Sequence, residues 1–198
     1  MRKKLLCAVL LAMSVAIAGC GTGGSLSVGD MDTTTLLVNA DGSLQAGFVE
    51  SFDKEYYNEE DLEAFSNEQI EAYNEAKGKE VELEKIRCRD GEAKMIMNFP
   101  DAEVYSDFLG TDIVVYNLAD ALNAGNINLP ETLRSSQDEE ASLADIDKPE
   151  NYTLVCVSEK IHVKVDGRVK YYANGAYIKE NEIESTPKDG EYSIVIFK

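Results

Sequence analysis

The chain has 198 residues, of which 37 are acidic and 19 basic, and its formal net charge at pH 7 is −18. This negative charge repels nucleic acid phosphates and anionic head groups, so a nucleic-acid-binding role is not expected. Solubility explains the acidity more simply than a dedicated cationic partner does. The length is that of one domain with a sizeable core.

The first twenty residues have the pattern of a secretory signal. Met1-Arg2-Lys3-Lys4 is basic, and the apolar stretch 5–17 is shorter than the roughly 20 residues that a membrane-spanning helix needs. The next motif, Ile17-Ala18-Gly19-Cys20, resembles the lipobox of bacterial lipoproteins. That resemblance implies cleavage after Gly19 and a diacylglyceryl group on Cys20. An ordinary cleaved signal peptide and an uncleaved N-terminal anchor are the alternatives.

Processing at this motif would divide the chain into three parts. Residues 1–19 would be removed, residues 20–34 would be the lipidated cysteine and a flexible Gly/Ser/Thr-rich tether, and residues 35–198 would form a single extracytoplasmic domain. The loss of three cations and no acidic residue would lower the charge from −18 to −21. Two acyl chains on Cys20 would hold the protein stably on the extracytoplasmic face of the cell membrane. The lipid bilayer is therefore an expected partner, from whose surface the acidic domain is expected to stand off.

Four Asp-Gly pairs follow, and each suits the positive φ angles of a tight turn. They are Asp41-Gly42, Asp90-Gly91, Asp166-Gly167 and Asp189-Gly190. The first three predict hairpins that join 36–38 to 44–50, 81–89 to 92–99, and 161–165 to 169–172. The fourth precedes a predicted C-terminal strand at 192–197.

The helical patterns lie between these hairpins. A long helix is predicted from the N-cap Asn58 to a stop at Gly78, with an apolar stripe that includes Phe65. Shorter helices are predicted at 102–109 and 117–123, with a strand at 113–116 between them, and 134–151 is predicted to be an exposed loop. Together these elements predict an α+β fold: a mainly antiparallel sheet of Asp-Gly hairpins, with the long helix packed on one face and short extra helices.

Three further segments carry a family resemblance. They are Phe52-Asp53-Lys54-Glu55-Tyr56-Tyr57, the helix end Glu71-Ala72-Tyr73-Asn74, and the closing strand from Tyr192 to Lys198. In these the chain resembles small lipoproteins of clostridial bacteria. The resemblance implies an extracytoplasmic location and a single-domain fold, and it assigns no chemistry.

The small number of cysteine and histidine residues limits the disulfide, catalytic and metal sites that the chain could form. After processing, Cys88 and Cys156 would remain, and an extracytoplasmic setting permits a disulfide between them. Their apolar, strand-like surroundings equally suit unpaired cysteines that act as small hydrophobic residues. The single histidine, His162, is expected on the exposed face of a strand between two lysines, so a catalytic role is not expected for it. No metal site or cofactor is predicted.

Two functional hypotheses remain. The preferred one is a non-enzymatic, lipid-anchored module of the cell envelope that binds a protein, a peptide or a glycan. The alternative is an envelope hydrolase or a metal-dependent accessory enzyme that uses carboxylates. An apolar, tyrosine-lined surface favours the first, and a cleft that brings several acids together favours the second.

Overall fold

The computed structural model describes residues 24–125, 127 and 129–198. In chain order the strands are β1 (Thr35–Val38), β2 (Leu44–Ser51), β3 (Glu82–Arg89), β4 (Glu92–Phe99), β5 (Ile113–Asn117), β6 (Thr132–Ser135), β7 (Glu140–Ser142), β8 (Thr153–Val157), β9 (His162–Val165), β10 (Val169–Ala173), β11 (Gly175–Lys179), β12 (Glu182–Ser185) and β13 (Ser193–Phe197). The α-helices are α1 (Glu59–Lys77), α2 (Ala102–Leu109) and α3 (Leu118–Ala124). Two short 3₁₀ helices lie at Leu143–Asp145 and Pro149–Asn151.

The strands form two sheets, whereas the sequence predicted one. Sheet A has seven strands in the order β11-β12-β9-β1-β2-β4-β3, and sheet B has six in the order β5-β8-β13-β10-β6-β7. The inner face of sheet A packs against sheet B, α1 and α2 around one apolar core. The opposite face of sheet B forms a second cluster with α3 and Ile146. The mixed α+β class is confirmed.

Strand pairing follows the first two Asp-Gly turns but not the third. Strands β1 and β2 pair antiparallel across Asp41-Gly42, and β3 and β4 pair antiparallel across Asp90-Gly91. The hairpin predicted across Asp166-Gly167 is wrong, because β9 lies in sheet A and β10 lies in sheet B. Strand β9 instead pairs parallel to β1 and antiparallel to β12. Strand β10 pairs with β13 and β6, so the chain crosses between the sheets at this turn.

The segment 134–151 is more ordered than the exposed loop that was predicted. Strand β6 carries the fully buried Leu133 and pairs antiparallel with β7. The turn between them is held by Asp138, which lies 3.0 Å from Arg134 Nη1 and accepts a 2.8 Å hydrogen bond from the Tyr172 hydroxyl. Leu133, which immediately precedes the segment, and this long-range hydrogen bond hold the turn in place, and neither is part of the polar composition from which the loop was predicted.

Helix α1 is built by local signals and by one buried stripe. The Asn58 side chain accepts a hydrogen bond from the Asp61 amide, and Gly78 ends the helix in the left-handed conformation with φ of 63°. Ile70 is buried in the core below the helix. The helix is unbroken at Ser66, whose hydroxyl donates a 2.8 Å hydrogen bond to the Leu62 carbonyl one turn earlier.

The packed chain begins earlier than the predicted boundary at residue 35. Residues 24–34, here called the N-terminal strap, lie across the outer face of sheet A. Leu26 and Met31 are 5% and 2% exposed and form an apolar cluster with Leu37 and Ile96. A Cβ atom at Gly47 would overlap Met31 Sδ, so the strap fits a site where the sheet has no side chain. The prediction of a flexible tether as far as residue 34 is therefore wrong for the described part of that segment.

Candidate functional site

An apolar groove lies between α1, α2 and the inner face of sheet A. Strand alternation directs Phe48, Met95 and Met97 toward the helices, because their neighbours on β2 and β4 face the strap. Helix α1 forms one wall with Leu62 and Phe65. The groove encloses about 570 Å³ and is open to solvent. Its size is that of a site for a few apolar side chains.

The second wall of the groove comes from α2. Phe108 packs edge-to-face against Tyr73, with ring centroids 5.1 Å apart. The Tyr73 hydroxyl donates to Asp107 Oδ2 at 3.0 Å, and Lys77 Nζ lies 2.8 Å from the same oxygen. These contacts hold the α2 wall against the C-terminal half of α1.

The ionisable groups at this wall are held far from neutral titration. The pKa of Tyr73 is raised to about 12, mainly by desolvation and secondly by the hydrogen bond to Asp107. The contacts from Lys77 and Tyr73 lower the pKa of Asp107 below its usual value. Near pH 7 the phenol therefore stays a donor and the carboxylate stays ionised. This pair is suited to holding the wall in place, since neither group exchanges protons readily near neutral pH.

Phe65 is the feature of this groove that folding alone does not explain. Its side chain is 60% exposed, although it belongs to the stripe that the sequence assigned to the core. Asp61 and Glu68 lie one turn to either side of it on the helix, and both are exposed. Seven of the 19 residues of α1 are acidic and one is basic. An exposed aromatic ring thus stands at the mouth of an apolar groove with a strongly acidic rim.

A second cluster surrounds Glu182 on the outer face of sheet A. The Glu182 side chain is 7% exposed and lies 2.8 Å from Lys179 Nζ, 3.9 Å from Lys164 Nζ and 3.0 Å from His162 Nδ1. Burial opposes its ionisation, but these neighbours outweigh burial and lower the pKa of Glu182. His162 lies on the face with the lysines, as the alternation predicted, and the structure adds its contact with Glu182.

Cys88 and Cys156, the two cysteines of the candidate disulfide, are not brought together. Cys88 lies on β3 of sheet A and Cys156 on β8 of sheet B, and both are free thiols. Burial raises the pKa of the Cys156 thiol to about 12, and burial together with Glu59 raises the pKa of Cys88. The candidate disulfide is not formed in this structure, and both residues pack as small side chains.

The predicted processing site, including Gly19 and Cys20, lies outside the described residues. In the part of the chain that is described, no helix is long and apolar enough to span a membrane. Residues 24–125, 127 and 129–198 also contain no group of three or more His, Cys, Asp or Glu side chains placed to hold a metal ion.

Sequence reasoning missed two parts of the candidate site. Met95 and Met97 form the groove floor, but in the sequence they are ordinary alternating strand residues. The exposure of Phe65 depends on where α2 packs relative to α1, which helix periodicity does not determine.

Comparison of the chain with protein-family models, with curated proteins and with solved structures finds no match.

Proposed function

We propose that this protein is a lipid-anchored, extracytoplasmic binding module of the cell envelope. In this proposal Cys20 carries the acyl chains, and the groove beside α1 binds a polypeptide partner. The observation that carries the binding function is the exposed Phe65 at the mouth of an apolar groove. Exposed apolar surface of this kind is unfavourable in water unless a partner covers it, so it is typical of an interaction site.

The chemistry of the groove favours a basic amphipathic segment as the occupant. The methionine thioethers of the floor are flexible and polarisable, so they can adapt to aliphatic or aromatic side chains. The acidic rim formed by α1 complements lysine or arginine residues on the polar side of such a segment. An amphipathic helix in an apolar groove is a common mode of peptide recognition. The partner is therefore a basic helical segment of an envelope protein or peptide.

Defined peptides test this proposal. We would measure binding of a Leu/Lys amphipathic peptide of about four helical turns, and of the same peptide with Glu in place of Lys. Phe65→Ala should weaken binding of the basic peptide by about tenfold, which corresponds to about 1.4 kcal/mol. Ile178→Ala is the matched control, because Ile178 is 44% exposed but lies on β11 at the far edge of sheet A.

Two results would count against the groove. One is equal binding of the basic and acidic peptides, which would remove the role of the acidic rim. The other is unchanged binding by Phe65→Ala, which would place the peptide elsewhere on the surface.

The lipid anchor has its own test. Cys20→Ala should move the protein from the membrane pellet to the soluble fraction after cell disruption. The variant retains the rest of the chain, so a comparison of unfolding curves checks that its fold is unchanged. A variant that sediments with membranes as the natural chain does would contradict anchoring through Cys20.

A further inference from the structure

Three aromatic side chains form a cluster between β2 and α1, here called the aromatic corner and made of Phe52, Tyr56 and Tyr57. Phe52 and Tyr57 stack, with ring centroids 4.7 Å apart and an interplanar angle of 20°. Tyr56 meets Tyr57 at 71°, with centroids 4.8 Å apart. Tyr56 is 75% exposed and Tyr57 is 44% exposed, so the two tyrosines present ring faces to solvent.

Backbone hydrogen bonds hold the aromatic corner in place. The Phe52 amide donates to the Gly91 carbonyl at 2.7 Å, so the pairing of β2 with β4 extends one residue past the strand. The Tyr57 amide donates to the Lys54 carbonyl at 3.0 Å, and this turn brings Tyr57 back against Phe52. Among the described residues, the three rings pack with one another and lie outside the apolar clusters of the core. Core packing therefore does not account for them.

The aromatic corner lies at the end of the groove nearest the N-terminus of α1. Phe48 belongs to the groove floor, and Phe52 follows four residues later on the same side of the chain, about 13 Å away. On the helix wall, Leu62 lies only five residues after Tyr57. A helical segment rises about 1.5 Å per residue, so one whose apolar side chains fill the groove reaches the corner two to three turns further along.

The charges around the aromatic corner favour a cation. Residues 50–61 carry six acidic side chains and one basic side chain. The adjoining hairpin end, residues 87–94, adds two acidic and three basic side chains. Acidic side chains therefore outnumber basic ones by eight to four, with every cation of the hairpin end counted. Three of the four cations already have a carboxylate within 4 Å, in the pairs Lys54–Asp53, Arg89–Asp90 and Lys94–Glu92.

We propose that the aromatic corner binds the guanidinium group of an arginine in the segment that occupies the groove. This inference rests on the proposed peptide-binding function of the groove. A cation over a tyrosine face is attracted by the quadrupole of the ring. The guanidinium group is planar and weakly hydrated, so it stacks on an aromatic face better than the compact, strongly hydrated ammonium group of lysine. The partner is therefore a basic amphipathic segment with an arginine two to three turns beyond its groove-filling side chains.

Arginine and its uncharged isostere citrulline test this inference. The Leu/Lys peptide is made with arginine in place of lysine in both terminal turns, so that either direction of the bound helix brings an arginine to the corner. A second peptide carries citrulline at the same positions. The affinity of each peptide is measured for the natural chain and for Tyr56→Leu. The preference of the natural chain for the arginine peptide should exceed that of Tyr56→Leu by about threefold, as for an exposed cation–π contact.

Three further variants make the comparison specific to the ring face. Tyr56→Phe keeps the ring and should keep the preference for arginine. Tyr116→Leu is the matched control, because Tyr116 is 46% exposed but lies on β5 at an edge of sheet B, and it should leave the preference unchanged. Phe65→Ala should weaken both peptides to the same extent, because it alters the groove and not the corner.

The outcomes distinguish this inference from the proposed function. An equal preference for arginine in the natural chain and in Tyr56→Leu would overturn the aromatic corner, while weaker binding by Phe65→Ala would leave the groove standing. Loss of the preference in Tyr56→Phe would assign recognition to the hydroxyl and would also overturn the ring-face contact. Binding of neither peptide would overturn the groove and the aromatic corner together.

Discussion

Met31→Ala measures directly whether the strap is part of the folded domain. The Met31 side chain is 2% exposed, packs with Leu26, Leu37 and Ile96, and occupies the space above Gly47. Truncation of a buried methionine to alanine removes its transfer free energy and leaves a cavity, at a cost of 2–5 kcal/mol in characterised proteins. The strap is a single layer that can partly collapse, so we expect a loss near the lower limit, about 2–3 kcal/mol.

The assay is urea unfolding of the purified protein at pH 7, followed by tyrosine fluorescence and far-UV circular dichroism. In thermal unfolding, a loss of this size would appear as a fall in Tm of about 4–12 °C for a domain of this length. Asp32→Ala is the control, because Asp32 lies next to Met31 and is exposed. Its unfolding free energy should stay within about 0.5 kcal/mol of the natural chain. If Met31→Ala also left the unfolding free energy unchanged, the strap would not be docked on sheet A in solution.

Three further predictions concern the ionisable groups and the thiols. Glu182→Gln should destabilise the protein by about 1–2 kcal/mol at pH 7. Because the folded pKa of Glu182 lies below the usual value of 4.5, this loss should shrink as the pH falls through the folded pKa, so a constant difference down to pH 3 would contradict it. Tyr73→Phe should leave binding of the basic peptide within about twofold, since the ring that lines the groove and the Lys77–Asp107 ion pair remain; a larger loss would show that the hydroxyl is needed to hold the α2 wall or to contact the peptide. In native protein at pH 8, iodoacetamide should leave Cys156 unmodified while unfolded protein reacts, and rapid native labelling would show that β8 opens readily.

Local chemistry explains which parts of the fold are visible in the sequence. The caps at Asn58 and Gly78 and the pairing of β3 with β4 across Asp90-Gly91 depend on residues close together in the chain. The Asp166-Gly167 turn has the same composition, yet it joins two sheets, because β9 finds partners in β1 and β12. Turn chemistry specifies that the chain reverses or bends, and long-range pairing decides which strands meet.

The candidate site is less predictable than the fold for a related reason. The strap segment is rich in Gly, Ser and Thr, and the burial of Leu26 and Met31 depends on a gap at Gly47 that lies 16 residues beyond Met31. Likewise, Phe65 fits the apolar stripe of α1, and its exposure follows from the position of α2. Both features arise from packing between elements, which periodicity within one element does not encode.

The proposed lipid anchor depends on where the mature protein begins. Intact-mass analysis of the protein purified from membranes, with fragmentation of its N-terminal peptide, measures this directly. We expect a chain that starts at Cys20 and carries a diacylglyceryl group. A mature chain that starts at another residue, or that retains residues 1–19 without lipid on Cys20, would contradict the lipid-anchored binding module.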